Sequence, residues 1–201
     1  MKKYLLLPFV LWLAGCVTPV MTMQSGEQPV GDRLVIALDG SWNRIKTTGP
    51  AQQWTMEGLP IDDLMIYSGL KDGEAIHAIS GSAKPFVFHS VMLPDEIISL
   101  FEGMLTRDGS TFQLTKSEPA TFGGVKGYHF EFKLVRKVDS VELTGLGYGA
   151  VSNGELFSVV YVAPRITFFA RHQGRVENMV RGAQIKGIQP ATVVPASLSP
   201  S

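Results

Sequence analysis

A chain of 201 residues is long enough for one domain with accessory segments. Hydrophobic residues make up 45% and charged residues 18%, which excludes a disordered or collagen-like chain. Lys+Arg and Asp+Glu number 18 each, so the formal charge is zero and no basic surface for nucleic acid is implied. One cysteine excludes an internal disulfide framework and a Cys-rich zinc site.

The first predicted element is an address. Met1-Lys2-Lys3 is a short positive segment, Tyr4 to Leu13 is apolar, and Ala14-Gly15-Cys16 is a small-residue cleavage region. The apolar run is too short to span a bilayer, which takes about 20 residues. At Leu13-Ala14-Gly15-Cys16 the chain resembles the lipobox of bacterial lipoproteins, matching every position. The resemblance implies acylation of the Cys16 thiol, cleavage before it and acylation of the new amino group. Two or more long chains, at about 0.8 kcal/mol per buried methylene, make such an anchor effectively permanent. Residues 1–15 are then a signal peptide and play no part in the fold. Val17, rather than Asp, follows the cysteine; under the same resemblance this favours the outer membrane, facing the periplasm, in a Gram-negative host. Residues 16–31 are polar and turn-prone and are expected as a lipidated flexible tether.

Residues 32–188 are expected as one domain. Arg33 to Leu38 reads as a strand ended by Asp39-Gly40, and Asp62 to Leu70 as a strand with both faces covered. Pro94-Asp95-Glu96 opens a helix whose apolar stripe is Ile97, Phe101, Met104 and Leu105, ending at Asp108-Gly109. Thr111 to Thr115 alternates and is expected to stop at Glu118-Pro119. Tyr128 to Leu134 alternates most clearly, with Tyr128, Phe130, Phe132 and Leu134 on one face and His129, Glu131 and Lys133 on the other. Val141 to Val151 and Leu156 to Ala163 flank Ser152-Asn153-Gly154, an Asn-Gly hairpin signal. A second helix lies between Ile166 and Gly182, with Phe169, Val176, Met179 and Val180 as its stripe and Gly174 as a possible break. Residues 189–201, with three prolines and no charge, are expected as a disordered tail.

The fold class expected is α+β: an antiparallel, meander-containing sheet flanked by two helices. A strand followed by Gly40-Ser41-Trp42, a central helix, a long-stranded meander and a C-terminal helix is similar to the PsbP-like fold over residues 33–188. The similarity lies in element order and implies an accessory or assembly protein bound to a larger complex, not an enzyme.

His129 and Glu131 place an imidazole and a carboxylate two residues apart on one strand face. That pair could seed a hydrolytic or metal site if a neighbouring strand supplied a third group; a solvated polar face explains the same pattern. His77, His89 and His172 lack ligand spacing, and the chain has no Gly-x-Ser-x-Gly elbow or Ser-x-x-Lys pair. Gly145-Leu146-Gly147-Tyr148-Gly149 lies inside a strand, where glycines make room for a bulky neighbour rather than cradle a phosphate. Asp62-Asp63 reads as a solvated pair. Trp42, Trp54, Tyr67, Phe86 and Phe88 read as core rather than as a ligand groove. The expectation is therefore a lipid-anchored, non-enzymatic envelope protein that binds another envelope protein and needs no cofactor or metal. The alternatives are a hydrolase or metal-binding protein built on His129 and Glu131, or a carrier of a small apolar ligand.

Overall fold

The computed structural model describes residues 20–78 and 84–187. The signal segment, Cys16 and the expected tail 189–201 lie outside the described residues. Eight antiparallel strands form the main sheet: β1 (Val20–Met23), β4 (Trp42–Ile45), β5 (Gln52–Thr55), β6 (Asp63–Lys71), β7 (Thr111–Phe122), β8 (Val125–Val135), β9 (Glu142–Ser152) and β10 (Glu155–Pro164). Their order across the sheet is β1-β4-β5-β6-β10-β9-β8-β7. A smaller sheet, ordered β11-β3-β2, joins β2 (Gly26–Val30), β3 (Leu34–Leu38) and β11 (Gln184–Ile185). The helices are α1 (Pro94–Leu105) and α2 (Ala170–Arg181), the latter entered through a wide π-type turn, Arg165–Phe169.

The β7–β8–β9–β10 meander follows from its turns and its alternation. Asn153 and Gly154 take φ of 52° and 77°, the positive pair that a two-residue hairpin requires between Ser152 and Glu155. Alternate residues of β8 send Tyr128, Phe130 and Phe132 to one face, where each ring lies over a glycine of the neighbouring strand. A Cβ on Gly145 would collide with Phe132, one on Gly147 with Phe130, and one on Gly149 with Tyr128. The glycines of β9 are seats for rings, as the sequence suggests.

The sheet separates two cores. On one face, α1 packs Ile97, Ile98 and Phe101 against Tyr67, Tyr128, Phe130 and Phe132; Phe101 stacks on Phe130 with ring centroids 5.9 Å apart. On the other, α2 and the small sheet cover Trp42, Trp54, Val159 and Tyr161 with Val176, Met179, Leu34 and Ile36. Helix α1 starts as the sequence predicts, on Pro94, with Glu96 accepting the Leu93 backbone N–H at 2.7 Å. Gly174 neither breaks nor starts α2 but lies within it.

Three expectations need correction. The stretch expected as tether, 16–31, contains β1 and β2. Strand β2 buries only Val30 completely, so its own sequence carries little strand signal; its pairing with β3, Gly26↔Leu38 through Val30↔Leu34, holds it in place. Pro29 is tolerated because β2 is an edge. Strands β4 and β5 were also not expected, being four residues each. Finally, β7 does not stop at Glu118-Pro119 but runs through it to Phe122, since an edge strand has an N–H side that need not be paired.

Candidate functional site

Because β7 continues past Pro119, it brings Glu118 opposite His129 in register. The imidazole is buried and stacks on Tyr148 of β9, with centroids 4.2 Å apart. Its Nδ1 lies 3.0 Å from Glu118 Oε1, and its Nε2 lies 3.8 Å from Glu131 Oε1. A carboxylate can only accept, so this geometry assigns the Nδ1 proton to the Glu118 bond. Lys116 reaches both acids, at 2.8 Å from Glu118 and 3.8 Å from Glu131. The hydrogen bonds from Lys116 and then His129 hold the Glu118 carboxyl below its ordinary range, and Glu118 in turn raises the Lys116 ammonium.

His129 and Glu131 do therefore acquire a third group, the Glu118 carboxylate. However, the two carboxylates address different ring nitrogens and are joined through a lysine, so they do not converge on one vacant point. Among the described residues no group of three His, Cys, Asp or Glu side chains is arranged to hold a metal ion. The face expected to be wet is only partly so: Lys133 is exposed, Glu131 half-buried and His129 buried. Tyr148 covers the imidazole, a cross-strand contact that alternation within β8 cannot reveal.

A second polar cluster was not legible. His172 of α2 is buried, with Nε2 2.8 Å from Glu57 Oε1; Arg171 Nη1 reaches the same oxygen at 2.9 Å. The His172 and Arg171 bonds hold Glu57 below the usual carboxylate range. Glu57 is positioned by Asp62, whose Oδ1 accepts the Glu57 backbone N–H at 2.9 Å and whose Oδ2 accepts that of Met56 at 3.0 Å. Thr55 also donates its hydroxyl to Asp62. Asp62-Asp63 is thus not a solvated pair. Asp62 ties its own loop together, and Asp63 on the opposite face takes a 3.0 Å bond from Gln53 Nε2. Burial raises the Asp63 carboxyl from 3.8 to about 6.

A cleft of about 420 Å³ lies between the 46–51 loop, Met65 and Tyr67 of β6, Ile76 to Ala78, and Met104 of α1. Of the aromatic set, Tyr67 alone lines it. Trp42, Trp54 and Phe88 are core, and Phe86 is half-buried beneath the Arg107 guanidinium, 5.3 Å from its ring centroid. Lys46, Thr47 and Thr48 add polar groups to its lining. His77 edges this cleft, its imidazole held below its ordinary value by burial, while His89 lies 3.7 Å from Asp72 on the surface.

One end of the main sheet gathers three loops that present large apolar side chains. The loop before β6 carries Leu59 and Ile61, the β8–β9 loop carries Val138 and the β10–α2 turn carries Ile166. Arg136 Nη1 bonds Pro60 O at 2.9 Å, which ties the first loop to the second. Val138 and Ile166 are 83% and 85% exposed.

No protein-family model matches the chain, and no curated protein matches it in sequence. The solution structure of cyanobacterial PsbP (CyanoP) from Synechocystis sp. PCC 6803 matches it with a TM-score of 0.55 and 11% identity, over 86% of this chain and 98% of that one. At that identity the likeness concerns the backbone, and what it establishes for this chain is the PsbP-like α+β fold.

Proposed function

We propose that this protein is a lipoprotein of the cell envelope, anchored by acyl chains on Cys16, whose domain serves without catalysis as an accessory or assembly factor for another envelope protein. The lipobox residues support the anchor, and the PsbP-like fold supports an accessory role by analogy. The observation that carries the partner is the loop end of the sheet, where Leu59, Ile61, Val138 and Ile166 are exposed on three loops, the first two of them joined by the Arg136–Pro60 bond. Large apolar side chains grouped at a loop end mark a protein contact. Under this reading the protein lies in the outer membrane, facing the periplasm, when the host is Gram-negative.

Two measurements test the reading. Cys16→Ser should abolish metabolic palmitate labelling and leave the longer precursor; a variant that is still processed and labelled would end the anchor hypothesis. A photo-crosslinker at Val138 or Ile166, in cells, should give one adduct of discrete size. Ile166→Asp should remove the Val138 adduct while leaving the melting temperature unchanged. Absence of any adduct from this end, or equal adducts from the β7 edge, would remove the partner surface.

A further inference from the structure

We propose that the β1 edge of the sheet lies directly on the anionic lipid surface that anchors the chain, so that the domain is seated on the membrane instead of swinging from a long tether. This rests on the lipoprotein reading of Cys16. Strand β1 begins at Val20, four peptide steps after Cys16. A fully extended chain covers at most about 3.5 Å per residue, so the first strand stands within about 14 Å of the acylated residue. The surface that carries Val20 must therefore face the headgroups.

That surface has the chemistry the position demands. Strand β1 is one of the two edge strands of the main sheet and, among the described residues, pairs with β4 alone. Val20 and Met21 are 52% and 60% exposed. With Arg44 and Lys46 they line a shallow hollow of about 360 Å³ to which no acid among the described residues contributes. Apolar side chains flanked by a guanidinium and an ammonium match the boundary between acyl chains and anionic headgroups, the former entering and the latter reaching phosphate. Removing Lys2 and Lys3 from the 18 basic residues leaves 16 against 18 acidic, so the attraction belongs to this patch and not to the whole domain.

The test uses the full-length protein, processed and acylated in cells, then reconstituted in vesicles of phosphatidylethanolamine and phosphatidylglycerol. The acylated Cys16 offers no free thiol, so Met21→Cys or Leu114→Cys supplies the single site for a fluorophore. Leu114 sits on β7 at the opposite edge, about 34 Å away by strand spacing. A nitroxide lipid labelled at the headgroup should quench the Met21 probe severalfold more than the Leu114 probe. Arg44→Glu with Lys46→Glu should bring the Met21 probe down to the Leu114 level while the protein still floats with the vesicles. Equal quenching of both probes in floating, acylated protein would overturn the seated domain and leave the anchor standing. Protein that carries no acyl mass and does not float would overturn both.

Discussion

Phe130 concentrates the packing of the α1 core. Its ring stacks on Phe101, lies 5.8 Å from that of Phe132 and rests over Gly147. Phe130→Ala should cost about 3–5 kcal/mol, a large share of a domain stability of about 5–15 kcal/mol. Glu131→Ala, on the opposite, half-open face, should change stability by less than about 0.5 kcal/mol. Thermal denaturation of both variants is the check, and equal losses would mean that Glu131 is held as firmly as the ring beside it. Asp63 gives a pH dependence. Its folded value of about 6 lies above the unfolded value near 3.8, so the folded state binds the extra proton between the two. Its contribution is fully present below about 4 and is lost as pH rises through about 6. Asp63→Asn should therefore melt above the parent protein at pH 7, with the difference shrinking towards pH 4; a pH-independent difference would show that Asp63 is solvated.

At the level of elements, legibility followed length and self-sufficiency. Strand β8, helix α1 and the Asn153-Gly154 turn that joins β9 to β10 each carry their own signal: alternation from Tyr128 to Leu134, a proline-led acidic first turn, a pair of positive φ angles. Strands β1, β2, β4 and β5 have four or five residues and are held by their neighbours, so nothing local announces them. The candidate site divides in the same way. His129 and Glu131 were visible as a pair on one strand, whereas Glu118 was hidden because Pro119 looked like a strand end. Glu57 and His172 meet across 115 residues, a contact no window can contain. The N-terminal strands supply a direct test. A chain starting at residue 32 loses β1 and β2, including the fully buried Val30, and should melt well below one starting at residue 20. Equal melting temperatures would return residues 20–31 to the role of a tether.

For the molecule as a whole, the sheet acts as a partition with a packed core on either side. Strand β10 runs through its middle, hydrogen-bonded to β6 and β9, and every residue from Leu156 to Ala163 is buried. Strands β1 and β7, at the margins, each have one neighbour. Water can reach the β10 amides only if both cores open together, while the margins can fray alone. Deuterium uptake should therefore be slowest along β10, with an opening free energy equal to that of global unfolding, and fastest in β1 and β7. The same strand then serves as an internal gauge. Any ligand, lipid or partner that binds the native state should slow exchange along β10 by the full stabilisation it confers, wherever on the surface it binds.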